Sequence, residues 1–161
     1  MIYHLILILI IKLFITPLFG YSLDNPKESK KINKIILTKD IIIKTHSKNP
    51  ISPINKDGNK IILIVDEPVL NKYYSRILLP KGAEIICEQE SSKFTSEGFI
   101  VSGVCNIITL YNGKQANFKS IIYDKDGNPS IKVDNSNKLV LSGTQLILIP
   151  EEDINLKSYF D

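Results

Sequence analysis

Arginine is nearly missing from this 161-residue chain: Arg76 stands alone among 20 basic residues, and the rest are lysine. Recognition of phosphates and base edges leans on the planar, bidentate guanidinium, so no nucleic-acid partner is expected. Histidine is almost as scarce, with His4 in the apolar N-terminal run and His46 in Lys44-Thr45-His46-Ser47-Lys48. A Ser–His or Cys–His mechanism would need a partner that no motif supplies, so His46 reads as a surface residue. The two cysteines, Cys87 and Cys105, form no CxxC pattern and lie near no histidine in sequence, which speaks against a metal site. Neither Glu88 with Glu90 nor the Glu151-Glu152-Asp153 group follows a spacing that an acid/base pair requires. No glycine-rich phosphate loop occurs. These gaps point to a protein that is not an enzyme, with no catalytic residue, cofactor or metal.

What is present suits one small globular domain: 43% of the residues are apolar and 23% charged, and the formal net charge is +3. The lysines are scattered and read as solvated surface. Residues Leu5 to Leu18 are almost uninterruptedly apolar apart from Lys12, and Pro17, Gly20 and Ser22 mark the end of the run. This predicts a secretory signal peptide over residues 1–22, cleaved after Ser22, with Gly20 and Ser22 where signal peptidase needs small side chains. The other reading is an uncleaved membrane anchor, since the run is marginal for crossing ~30 Å of hydrocarbon. Cleavage removes one lysine and no acid, leaving 19 − 17, or +2. Either way the folded part is expected outside the cytoplasm. Residues 23–34 read as a flexible linker, 35–156 as a β-domain and 157–161 as a C-terminal tail.

Within the β-domain, short runs rich in β-branched residues alternate with turn signals. Strands are expected at Ile35–Leu37, Ile41–Thr45, Lys60–Val65, Arg76–Leu79, Ala83–Glu88, Phe99–Leu110, Asn117–Tyr123, Ile131–Val133, Lys138–Leu141 and Gln145–Ile149. The turns fall at Pro50-Ile51-Ser52-Pro53, Lys56-Asp57-Gly58-Asn59, Pro80-Lys81-Gly82, Asn112-Gly113, Asp126-Gly127-Asn128-Pro129 and Ser142-Gly143. Sustained helical periodicity is missing; one short helix is expected at Pro68–Tyr74. The fold class is therefore all-β, a single antiparallel β-barrel or sandwich.

If Ala83–Glu90 and Phe99–Leu110 form a hairpin turning near Thr95-Ser96, Cys87 sits opposite Cys105 and Ile85 opposite Ile107. All four then share one sheet face, with Glu84, Glu88 and Ser102 on the other. In an oxidising compartment the opposed cysteines would form a disulfide; the alternative is two buried thiols. Asp124-Lys125-Asp126-Gly127-Asn128 resembles the start of a calcium loop, but Asn135 stands where the closing glutamate belongs, so a tight turn is expected.

In order, these segments resemble the carboxy-terminal β-domain of the TrbI/TraB-like scaffold proteins of type IV secretion and conjugation machines. Ile35-Ile36-Leu37-Thr38-Lys39-Asp40-Ile41-Ile42-Ile43 is similar to that family's opening strand pair, with Asp40 where a glycine is usual. Ile77-Leu78-Leu79-Pro80-Lys81-Gly82-Ala83 resembles its hydrophobic Pro-Lys-Gly element, where Pro80 and Gly82 allow a tight turn. Asn112-Gly113-Lys114 resembles its hairpin turn, Asp124 to Gly127 its Asp-x-x-Gly turn, and Val140-Leu141-Ser142-Gly143-Thr144 its closing strand. Where the family inserts two helices, Gly127 is followed almost at once by Ile131, so the resemblance implies a reduced member.

That resemblance implies a small structural component in the periplasm or cell envelope of a Gram-negative bacterium. Its expected partners are other subunits of the secretion complex, with homo-oligomerisation included and the membrane touched only through an uncleaved N-terminal segment. The alternative is a stand-alone periplasmic module that binds a ligand in a barrel mouth. A secreted hydrolase is the third reading, without a nucleophile–base pair to carry it.

Overall fold

Alternation of buried and solvent-facing side chains is the local rule that builds this protein. In Lys60–Val65, Ile61, Leu63 and Val65 point inward while Ile62 and Ile64 face out. The same period of two puts Ile43, Thr45 and Ser47 inside along Ile43–Ser47, and Leu146 and Leu148 inside along Gln145–Pro150. The computed structural model describes residues 34–53, 60–71, 76–134 and 139–161. The signal or anchor, nearly all of the linker, and the Lys56–Asn59 turn signal lie outside the described residues.

In chain order the strands are β1 (Ile36–Leu37), β2 (Ile43–Ser47), β3 (Lys60–Val65), β4 (Val69–Leu70), β5 (Ile77–Leu79) and β6 (Glu84–Thr95). After them come β7 (Gly98–Thr109), β8 (Gln115–Asp124), β9 (Ile131–Asp134), β10 (Gln145–Pro150) and β11 (Ile154–Asn155), then a short helix α1 (Lys157–Phe160). Six strands run β6-β3-β2-β10-β8-β7 and close on themselves through β6–β7, giving an all-antiparallel barrel. Closure removes the sheet edges that an open sheet would expose. β9 adds to β7 beyond the end of β8. Two ribbons flank the barrel, β1 with β11 and β4 with β5.

The interior is filled by Leu63, Ile85, Ile108, Ile122, Leu146 and Leu148, each fully buried, and such a side chain stabilises the fold by about 1.5–3 kcal/mol. Its buried hydroxyls are satisfied by the backbone. Thr45 donates to the Leu146 carbonyl (3.1 Å), Ser47 to that of Leu141 (2.8 Å) and Ser120 to that of Ile149 (2.8 Å).

Several expected boundaries move. β6 and β7 continue to a tip at Ser96-Glu97, one residue beyond the expected turn, because Phe94 pairs with Phe99 and Thr95 with Gly98. Val69–Leu70 is a strand, not part of a helix from Pro68 to Tyr74; the β-branched Val69 pairs with Leu79, and Tyr73 and Tyr74 lie outside the described residues. The expected strand at Lys138–Leu141 reduces, among the described residues, to a single bridge between Val140 and Ile51. β2 begins two residues later than expected, after a turn in which the Ile41 N–H bonds the Thr38 carbonyl.

Cys87 does face Cys105, and the two are joined as a disulfide across β6 and β7. Ile85, however, faces Ile108, not Ile107. Two β-bulges explain both facts. Glu90 has no partner on β7, so the register slips by one below the tip; Asn106 has none on β6, and the register slips back. The cysteines lie between the two slips, and Ile107 is turned to the outer face while Ile108 fills the core.

Candidate functional site

His46 and Asp66 are brought together by β2 and the end of β3. Facing outward from β2, His46 places its Nδ1 2.5 Å from Asp66 Oδ1. Lys44 pairs with Glu67 at 3.1 Å and Lys48 with Glu84 on the same wall. Lys44, His46, Asp66 and Glu67, with Lys81, Lys125 and Gln145, line an open groove of about 750 Å³. A sequence reading of His46 as a lone residue missed Asp66, which is twenty residues away and adjacent only through strand pairing.

A histidine oriented by a carboxylate is the base half of a hydrolytic triad. Among the described residues that line the groove, Thr45 carries the only hydroxyl, and it points into the barrel and donates to Leu146. That hydroxyl is thus engaged inside the barrel, and the wall presents side chains of both charges.

The turn residues sit at the two ends of the barrel. Gly82, Gly113, Gly127 and Gly143 have φ between +80° and +85°. At Pro80-Lys81-Gly82-Ala83 the Ala83 N–H bonds the Pro80 carbonyl (3.1 Å), and Gly82 takes the left-handed third position that a type II turn demands.

In the next turn, Asp124 Oδ1 accepts the Asp126 and Asn128 N–H groups (2.9 and 2.8 Å), and Oδ2 accepts Asn128 Nδ2 (2.8 Å). Both oxygens are engaged by the loop itself, which explains a calcium-like spelling in a turn. Burial pushes the Asp124 carboxyl upward, but hydrogen bonds from the Asn128 side chain and from the backbone of Asn128, Asp126 and Gly127 outweigh it and hold the pKa below the usual carboxylate range. The contribution of this loop to stability is thus complete above the ordinary aspartate value. It is expected to fade as pH falls below about 4, through the lowered native pKa. Urea unfolding of wild type and Asp124→Asn across that range checks it: the variant should lose this part of the acid sensitivity.

Large apolar side chains are exposed at both ends. Phe94 (64% exposed) and Leu141 lie toward the hairpin-tip end, and Ile42 and Tyr111 toward the opposite end. Among the described residues β6 pairs with β3 as far as Glu88–Lys60, and farther along the Ser92 hydroxyl donates to the Pro53 carbonyl (2.7 Å). Near the tip of the β6–β7 hairpin the Phe94 ring lies 6.2 Å from that of Phe99. At its base Gln89 is buried, and its Oε1 has no hydrogen-bond partner among the described residues. Exposed aromatic and aliphatic side chains at the barrel ends are features of a contact surface.

No family model matches the chain, and no curated protein does. Among solved structures, ComB10 of the Com type IV secretion system of Helicobacter pylori is similar, with a TM-score of 0.56 over 75% of this chain and 90% of that chain. The identity is 14%, and at that level the likeness is one of fold.

Proposed function

We propose that this chain is a small exported structural component of a type IV secretion or conjugation core complex, of the TrbI/TraB-like kind, and works by protein–protein contacts without catalysis. The observation that carries the reading is the barrel's likeness to ComB10, which extends over 90% of that chain. Support for an envelope location comes from the disulfide between Cys87 and Cys105, since such bonds persist in oxidising compartments. The partners are other envelope subunits, met through the exposed apolar side chains at the barrel ends, among them Phe94 near the tip of the β6–β7 hairpin, where aromatic anchors can act.

Deleting the gene in a cell that makes a type IV machine should lower the amount of assembled core recovered from the envelope, and wild-type chain should restore it. His46→Ala and Asp126→Ala are expected to restore it equally, because neither residue is assigned chemistry. Unchanged core assembly and transport in the deletion strain would count against the proposal, and so would a folded His46→Ala chain that fails to complement.

A further inference from the structure

Asn112 and Gly113 occupy the exposed turn between β7 and β8. The Asn112 carboxamide is used at both ends: Nδ2 donates to the Tyr159 carbonyl (2.6 Å), and Oδ1 accepts the Lys114 N–H (3.1 Å). The first bond ties the turn to α1, a single helical turn with no fully buried residue. Other contacts also hold this terminus, among them the β1–β11 pairing, the Leu156 N–H on the Ile35 carbonyl (2.7 Å) and the Arg76 guanidinium 5.2 Å from the centre of the Phe160 ring.

An asparagine followed by glycine is open to attack by the next amide nitrogen, because glycine has no Cβ to obstruct the approach. We propose that Asn112 is a site of spontaneous deamidation, that the docked C-terminal helix restrains the reaction, and that the reaction in turn releases the helix. The Gly113 nitrogen, after losing its proton to solvent base, bonds to Asn112 Cγ; the Cγ–Nδ2 bond breaks and the nitrogen leaves as ammonia. Water then opens the cyclic imide at either carbonyl, giving aspartate or isoaspartate. One water enters and one ammonia leaves, with no redox partner.

Two hydrogen bonds oppose the first step. The Gly113 N–H is donated to the Leu110 carbonyl at 2.9 Å and must be withdrawn, and Nδ2 must leave the Tyr159 carbonyl. Once deamidated, a carboxylate with no proton to give would face that carbonyl, acceptor against acceptor. The tie is then lost, and Leu156 and Phe160 are left to hold the terminus. Asn128 is an internal control: it precedes Pro129, whose nitrogen carries no hydrogen and cannot form the imide in this way.

The full chain, kept in mildly alkaline buffer and sampled by peptide mass mapping, should accumulate ammonia-loss and deamidated products at Asn112 and none by this route at Asn128. Phe160→Ala should raise the Asn112 rate several-fold, and Arg76→Ala should raise it in the same direction. By hydrogen exchange, Asn112→Asp should lose protection at the Tyr159 and Asp161 amides while Leu156 and the barrel strands keep theirs. Deamidation of Phe160→Ala and Arg76→Ala at the wild-type rate would overturn the proposal. Wild-type exchange at the C terminus of Asn112→Asp would overturn it equally.

Discussion

Replacing Gly103 by valine is expected to lower stability by on the order of 3 kcal/mol or to prevent folding, more than any surface substitution in the molecule. Gly103 lies inside the barrel on β7, opposite Gln89 and beside the Glu90 bulge. A Cβ placed there would come within 2.8 Å of the Glu88 carbonyl oxygen, 3.0 Å of Ile122 Cδ1 and 3.4 Å of Ile61 Cδ1. The closest of these is backbone in a paired strand, so the clash cannot be relieved by turning a side chain. Gly82→Val makes the comparison informative. Its φ of +85° strains a β-branched residue, but a Cβ there meets nothing within 4 Å, so its cost is expected to be only about 1–2 kcal/mol. Denaturant midpoints of the two variants should therefore rank Gly103→Val well below Gly82→Val. The reverse order would mean that turn strain, not interior crowding, limits this barrel.

The double replacement Cys87→Ala with Cys105→Ala is expected to cost about 3 kcal/mol, and to lower the melting temperature by roughly 10 °C. The bond joins residues 18 apart, and both sulfur-bearing side chains are fully buried between the bulges. Loss of the cross-link lets the unfolded hairpin explore conformations that the bond denies it. The same loss is expected in protein made without export, which should show two thiols on labelling under denaturing, non-reducing conditions. An alanine pair that melts with wild type would remove the disulfide from the list of what holds the barrel.

The barrel was legible in the sequence because its signals are local. Runs such as Ile61 to Val65 alternate at a period of two, and turn glycines such as Gly82 and Gly143 stand where positive φ is needed. The cysteine pairing was legible for a narrower reason, since the cysteines happen to lie between two register slips that cancel. The slips themselves left no mark. Glu90 and Asn106 are ordinary strand-edge residues, and nothing in their identity says that one of them goes unpaired, so Ile107 was assigned the inner position that Ile108 holds.

The pairing of His46 with Asp66 was hidden for a related reason: it depends on which strands become neighbours, and sequence distance carries no such information. The tight place of Gly103 leaves no local mark either, because the crowding around it comes from β6, β8 and β3. The C-terminal residues Lys157 to Asp161 read as a tail because four residues are too few to show a helical period. Their order comes instead from Asn112, Arg76 and the β1–β11 ribbon.

In-cell photo-cross-linking from the exposed apolar positions tests the proposed role most directly. A photoreactive residue placed at Phe94 or Leu141 at one end of the barrel, and at Ile42 or Tyr111 at the other, should give adducts that mass spectrometry identifies as envelope subunits of a type IV secretion machine. A chain that is exported, oxidised and folded, yet yields no adduct with any such subunit from either end, would contradict a scaffold role.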